Sequence, residues 1–175
     1  NVTGAGANIA GDRVAKAAPD GYTLLLASLA QLTINPSLYD KMPFDTVKDV
    51  IPITQAVFTP NILALNNDVP AKSVAELVAL ARAQPGQLTY GSAGVGTSQH
   101  LAGELFKSMA HVDIRHVPYR GAAPVITDLL GGRLTMFFGN VTAVLPQVQD
   151  GKLRALAVTS LKRMAATPDL PTLAE

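Results

Sequence analysis

From Asn61 to Val158 the sequence alternates short apolar runs with stretches of helical periodicity, and a layered α/β sheet is the architecture that this alternation fits. Asn61 to Leu65 reads as a strand. Ser73 and Glu76 form a capping-box pattern ahead of Val74, Leu77, Val78 and Ala81 on one helical face, and Pro85-Gly86 ends that helix. Leu88 to Tyr90 is strand-like and leads through a glycine-rich loop into a helix whose inner face is predicted to carry Leu101, Leu105 and Met109, with Ala102 and Phe106 beside them. Ile114 to Val117 is the next strand. Gly121 to Leu130 presents Val125, Ile126, Leu129 and Leu130 as a buried stripe, with Pro124 in the first turn and Gly131-Gly132 as the stop. Leu134 to Phe138 is a strand, Val141 to Val148 a short helix containing Pro146, and Leu153 to Val158 a last strand. The resulting βαβαβαβαβ order predicts a parallel sheet with ligands beyond the carboxyl ends of its strands, at loops that begin near Asn66, Gly91, Pro118 and Gly139.

The preceding residues are less regular. Ala7 to Ala18 holds Ala10, Val14 and Ala17 at helical spacing, and Pro19-Asp20-Gly21 stops the helix. Tyr22 to Ala27 is apolar without clean alternation, which predicts a strand covered on both faces. A loop through Asn35-Pro36 and Pro43-Phe44-Asp45 leads to the run from Val50 to Phe58, where Pro52 implies an edge position or a late strand start. These elements do not close a layer of their own. They fit either a lobe whose remainder lies outside the sequence or one irregular α/β domain.

Charge excludes one class of partner. Fourteen Lys and Arg face 13 Asp and Glu without a basic cluster, and five Phe, four Tyr and no Trp offer few stacking platforms, so nucleic acid is not expected. The chain has no Cys, which removes disulfides, thiolate chemistry and sulfur-based zinc sites. No apolar run approaches the roughly 20 residues of a membrane-spanning helix.

The segment Thr89-Tyr90-Gly91-Ser92-Ala93-Gly94-Val95-Gly96-Thr97-Ser98 is the strongest candidate for function. Small residues there let backbone N–H groups and hydroxyls converge above a helix N-terminus, where a carboxylate or phosphate can sit; the same residues also suit a turn that only caps the helix. Gly94-Val95-Gly96 matches neither the phosphate-loop nor the dinucleotide pattern. His100, His111 and His116 lack zinc-ligand spacing, and a solvated or locally hydrogen-bonded role is expected of them. Ser92 and Ser98 stand in no nucleophile-elbow pattern, and no base with an orienting partner is identifiable. Tyr119 and Arg120 fall at the same sheet edge, where Arg120 either pairs with a carboxylate or is an exposed helix-start cation. Asn140, at the edge after Phe138, either donates to a ligand oxygen or caps the following helix.

Several ordered motifs together resemble a known family. Gly4-Ala5-Gly6-Ala7-Asn8-Ile9, Ala17-Ala18-Pro19-Asp20-Gly21-Tyr22-Thr23-Leu24, Asn35-Pro36-Ser37-Leu38-Tyr39, the Gly91 to Thr97 loop, His100-Leu101-Ala102-Gly103-Glu104 and His116-Val117-Pro118-Tyr119-Arg120-Gly121 are similar to the Bug or TctC-like periplasmic solute receptors of tripartite tricarboxylate transporters. Lys152 to Thr159 and Pro168-Asp169-Leu170-Pro171-Thr172 continue the resemblance, which spans the chain. It implies a two-lobed periplasmic-binding-protein-like α/β fold that closes about a hinge on a small organic acid and delivers it to membrane permease subunits, without catalysis, cofactor or metal. It also implies an internal fragment: residues 1–60 as part of lobe one, 61–158 as lobe two and 159–175 as a crossover returning towards lobe one. The ligand residues carried over are Ser92, Ala93, Gly94, Gly96, Thr97 and Ser98 in the principal lobe-two loop, Tyr119 and Gly121 in a second, Ser28 on the lobe-one side and Asn140 at another strand edge. Two positions depart from the family pattern: Arg120 stands where Lys is common, and Gly139 where an acidic residue is common.

Two other behaviours remain compatible with the residues alone. One is an α/β enzyme acting on a phosphorylated or carboxylated metabolite. The other is an incomplete lobe whose uncovered apolar faces make it oligomerise.

Overall fold

The structure, a computed structural model, describes residues 8–175; the Gly4-Ala5-Gly6-Ala7 motif and the predicted helix start at Ala7 lie outside the described residues. Two compact units are distinguished, one holding the residues up to Val57 with Val95–Ser98, the other holding Phe58–Gly94 with Gln99–Glu175.

The second unit is built on a sheet of five strands: β1 (Asn61–Asn66), β2 (Thr89–Ser92), β3 (Arg115–Pro118), β4 (Met136–Asn140) and β5 (Leu153–Val158), in the spatial order β3-β2-β4-β1-β5. Between them run α3 (Val74–Ala83), α4 (Ser98–Ala110), α5 (Ala122–Leu130) and α6 (Val141–Gln149), numbered after α1 (Asn8–Ala15) and α2 (Asn35–Leu38) of the first unit. β2 pairs in parallel with β3 and with β4, but β1 runs antiparallel to both β4 and β5, so the expectation of an all-parallel sheet is corrected at one strand. Every residue of β1 is buried because the strand lies inside the sheet with both faces covered, and a continuous apolar run reports that burial without reporting direction. The reversal has a positional consequence. The loop after Asn66 lies at the opposite end of the sheet from the loops after Ser92, Pro118 and Asn140, and Asn61, in register with Asn140, takes its place.

Alternation along the strands divides the core. Leu63, Leu65, Tyr90, Met136 and Phe138 meet Leu77 and Ala81 of α3 and Phe106 of α4 on one face. Ile62, Ala64, Phe137 and Val158 meet Val125 and Leu129 of α5 and Val141 and Val144 of α6 on the other. Each Val, Leu, Ile, Phe or Met among them contributes about 1.5–3 kcal/mol on burial.

Ser73 caps α3 as predicted, its side chain accepting from Glu76 N at 3.1 Å, while the Glu76 carboxylate reaches back to Lys72 N at 2.7 Å. The inner face of α4 differs from the expectation. Gln99, Gly103 and Phe106 are buried, whereas Leu105 and Met109 are 60% and 73% exposed. The helix docks on its smallest residue, for a Cβ at Gly103 would overlap the Tyr90 ring, and a leucine-based periodicity is blind to that contact.

In the first unit a π-type helix, Ala30–Ile34, runs directly into α2, so the predicted loop at Asn35-Pro36 is helical, with Pro36 in the first turn of α2. Asn35 Nδ2 donates to Asn8 Oδ1 at 2.8 Å and ties this helix to α1. The predicted strands Tyr22 to Ala27 and Val50 to Phe58 do not form. Both are extended chain without a ladder, with Tyr22 93% and Ile51 87% exposed, because a strand needs a hydrogen-bonded neighbour and no described segment supplies one.

Candidate functional site

Sheet alternation places a polar layer on the Tyr90 face, between the apolar core and the carboxyl ends of β2 and β4. Two residues beyond Tyr90 stands Ser92, two beyond Phe138 stands Asn140, and Asn61 pairs with Asn140 across the antiparallel register. His116 lies beside Tyr90 in the parallel ladder of β3, and α4 covers the layer with Gln99, His100 and Glu104.

Within the second unit, two of the predicted loops are joined by backbone hydrogen bonds. Tyr119 N donates to Ser92 O at 2.9 Å and Gly121 N donates to Ala93 O at 3.2 Å. Gly94 follows at φ +138, a conformation open to glycine, with Tyr119 O near its missing Cβ. Ser92 is fully buried, and its Oγ lies 3.1 Å from Gly94 O, 3.2 Å from Gly94 N and 2.7 Å from His116 Nε2. The hydroxyl therefore works inside the turn. The Tyr119 phenol is likewise engaged: it donates to Asp128 Oδ2 at 2.7 Å, and Arg133 pairs with the same carboxylate at 2.8 Å. Burial and that bond push the Tyr119 hydroxyl up to about 12; the same bond and the Arg133 guanidinium hold Asp128 below the ordinary carboxylate value. Arg120 is exposed.

Asn140 begins α6 without a side-chain cap; its Oδ1 accepts from Gln99 Nε2 at 3.3 Å. Asn61 N donates to Thr159 Oγ1 at 2.9 Å, which adds the end of β5 to the edge. The buried Asn61 Oδ1 and Gln99 Oε1 have no hydrogen-bond partner among the described residues.

The remaining predicted residues fall in the first unit. Gly96, at φ +84, packs against Asn35 Oδ1 and Leu38; Thr97 and Ser98 follow at the start of α4, whose first turn carries no acidic side chain. Ser28 is exposed, and its Oγ accepts from Gln31 N at 3.3 Å at the head of the Ala30–Ile34 helix. The structure thus brings Ser92, Ala93, Gly94, Tyr119 and Gly121 together, sets Asn140 on the neighbouring strand, and places Ser28, Gly96, Thr97 and Ser98 in the other unit. Asn61, Gln99 and Thr159 also stand at this edge and are not among the predicted residues. The signal was present at Asn61-x-Leu63-x-Leu65, but the assumption of parallel strands put Asn61 at the wrong end.

His116 is one of three perturbed titratable groups described in the layer, with Tyr90 and Glu104. Its ring stacks on Tyr90 at 4.8 Å and lies 4.3 Å from His100. Desolvation first, and the nearby His100 second, push it down from 6.5 to about 4. Tyr90 is pushed up by burial and by its 2.6 Å bond to Glu104, whose carboxylate burial would raise but whose bonds to Lys107 and Tyr90 hold low. A histidine whose folded value is depressed takes up its proton more readily when unfolded, so stability is whole above the unfolded value and is lost as pH falls towards the folded one. Between pH 6.5 and about 4, melting temperature is expected to fall more steeply in the parent chain than in His116→Gln; parallel curves would refute the assignment.

The family model described as "Tripartite tricarboxylate transporter family receptor" matches residues 1–175. BugT of Bordetella pertussis is 38% identical over 176 residues, covering 100% of this chain and 54% of BugT. A Pseudomonas sp. protein from the tcbD-tcbE intergenic region is 39% identical over 175 residues, covering 100% of this chain and 52% of its own. Among solved structures, an R. palustris protein with adipate superposes with a TM-score of 0.92 at 39% identity, covering 95% of this chain and 56% of that one. MatC from Rhodopseudomonas palustris with bound malate gives 0.87 at 27% identity, covering 98% and 58%. The chain spans about half the length of the curated relatives it matches.

Proposed function

The chain belongs to the tripartite tricarboxylate transporter receptor family, and from that premise we propose that it forms part of a periplasmic receptor that captures a small organic acid and passes it to the permease of such a transporter. The observation that carries this reading is the fold match, at TM-scores of 0.92 and 0.87, to structures holding adipate and malate. The loop chemistry agrees with it. In the first unit Thr97, Ser98 and the acid-free start of α4 offer hydroxyls and amides, and in the second Ala93 and Gly94 offer backbone groups, neutral chemistry that can receive a carboxylate without a buried cation. Ser92, Ala93, Gly94, Tyr119, Gly121 and Asn140 are proposed as the ligand surface of the second unit, Ser92 and Tyr119 acting through the shape of the turn and the half-buried Ala93, Gly94, Gly121 and Asn140 by direct contact. Ser28, Gly96, Thr97 and Ser98 are proposed as that of the first.

An enzyme reading loses its best candidate for chemistry, because Ser92, which has a histidine within reach, is fully buried with its hydroxyl committed to Gly94.

Gly94→Ala tests the loop. Among the described residues only Tyr119 O, at 3.6 Å, stands near the new Cβ, but φ +138 is strained for an L residue, so the turn must rearrange at a cost of about 1–2 kcal/mol. Affinity for the organic acid, read by isothermal calorimetry, is expected to fall by about tenfold or more while the chain stays folded. Unchanged affinity would remove the loop from the site.

The exposed Tyr22, Leu24, Leu26, Ile51 and Ile53 are proposed to make the isolated chain self-associate. Sedimentation velocity is expected to show mass rising with concentration, and Leu24→Lys with Ile53→Lys to suppress it; a monomer at all concentrations would refute this.

A further inference from the structure

Ser92 Oγ has three polar neighbours, and a hydroxyl has the capacity for all three: one proton to donate and two lone pairs to accept. Only one assignment satisfies them together. The hydroxyl donates to Gly94 O, and it accepts the Gly94 N–H and an N–H from His116 Nε2. The Ser92 side chain thus grips both polar groups of Gly94, and His116 supplies the remaining bond, which fixes the rotamer of a hydroxyl fully removed from solvent. His116 is itself held by the Tyr90 ring on β2 and the His100 ring on α4, with Glu104 and Lys107 of α4 as the charged groups facing it.

We propose that His116 is the positioning residue of the Ser92–Gly94 turn: its Nε2–H orients the buried Ser92 hydroxyl, which holds Gly94 in the conformation that the ligand carboxylate meets. The ligand step rests on the receptor reading given above; the positioning step does not. Nothing in this role requires a charged imidazole, since the Nε2–H tautomer and the imidazolium make the same bond. A side chain of similar reach with an N–H donor therefore replaces His116, and one of similar bulk without a donor fails.

The test uses the natural polypeptide carrying His116→Gln, His116→Phe, Ser92→Ala and the Ser92→Ala, His116→Phe double variant. Adipate and malate serve as ligand probes, and Gly94 amide and imidazole nitrogen NMR serve as readouts in the ligand-free protein. The expected results are an Nε2–H signature for His116, a displaced Gly94 amide in His116→Phe that returns in His116→Gln, and a loss of affinity of about tenfold in His116→Phe. The double variant is expected to lose no more than Ser92→Ala alone, because both residues act through one hydroxyl. An Nδ1–H signature, equal effects of Gln and Phe, or additive losses would overturn the proposal. Should neither these probes nor any other small mono-, di- or tricarboxylate bind the parent while the Gly94 amide still follows the donor at position 116, positioning stands and the receptor reading falls.

Discussion

Gly139→Asp is expected to abolish cooperative folding of the second unit. A Cβ at Gly139 would overlap Val144 Cγ2 of α6 and the Phe137 ring, both buried. Overpacking of this kind costs about 1–3 kcal/mol, and a carboxylate enclosed there without a partner adds several more, a sum comparable with the roughly 5–15 kcal/mol that holds a domain folded. The family resemblance suggests an acid at this position, so the substitution also asks whether the departure is interchangeable. The packing answers that it is not: α6 has settled against the bare backbone of β4. Gly139→Ala with Val144→Ala is expected to recover a cooperative urea transition by removing the carboxylate and the Val144 overlap, which leaves only the Phe137 ring to yield to the new Cβ, whereas Gly139→Asp alone is expected to show none. A normal transition for Gly139→Asp would mean that α6 does not sit where the structure places it.

The second large effect is expected at Tyr90. Its ring meets Phe138 edge-on at 6.4 Å and His116 in a stack, and Gly103 lets α4 close over it. Tyr90→Ala is expected to cost about 3–5 kcal/mol through the cavity alone. It also removes the surface on which His116 rests, so ligand affinity should fall with stability. Tyr90→Phe keeps the ring and loses the hydroxyl's bonds, at 2.6 Å to Glu104 and at 3.3 Å to His100 O, together about 1–2 kcal/mol at a partly exposed site. Urea unfolding of the two variants separates these contributions. Equal losses would place the energy in the hydroxyl and contradict the packing account.

The sequence was most informative where an element has a mechanism of its own. The Ser73 cap, the Gly131-Gly132 stop and the apolar strands from Asn61 onward all follow from local chemistry. The direction of β1 does not. Antiparallel placement depends on which strands flank it, and its fully apolar composition fits any interior position. The face of α4 was misread because Leu101, Leu105 and Met109 carry the hydrophobic signal while Gly103 carries the contact. Strands were expected at Tyr22 to Ala27 and Val50 to Phe58 because β-propensity is local, but a ladder is not, and these runs have no described neighbour. In the site, glycine spacing located the turn at Gly91 to Ser98, whereas the contact from His116 to Ser92 arises from a parallel pairing between residues 24 apart. Asn61 and Thr159 entered the edge only once β1 was known to run the other way.

The most direct test of the account is isothermal calorimetry of the natural polypeptide that carries these residues, titrated with adipate, malate and other small mono-, di- and tricarboxylates against phosphate and chloride at matched ionic strength. A receptor of this family is expected to give saturable, selective heat with one or a few of the carboxylates and none with phosphate, and to lose it in Gly94→Ala. Heat with phosphate alone, or none with any carboxylate from a protein that melts cooperatively, would contradict the assignment of the Gly91 to Ser98 turn as an organic-acid site.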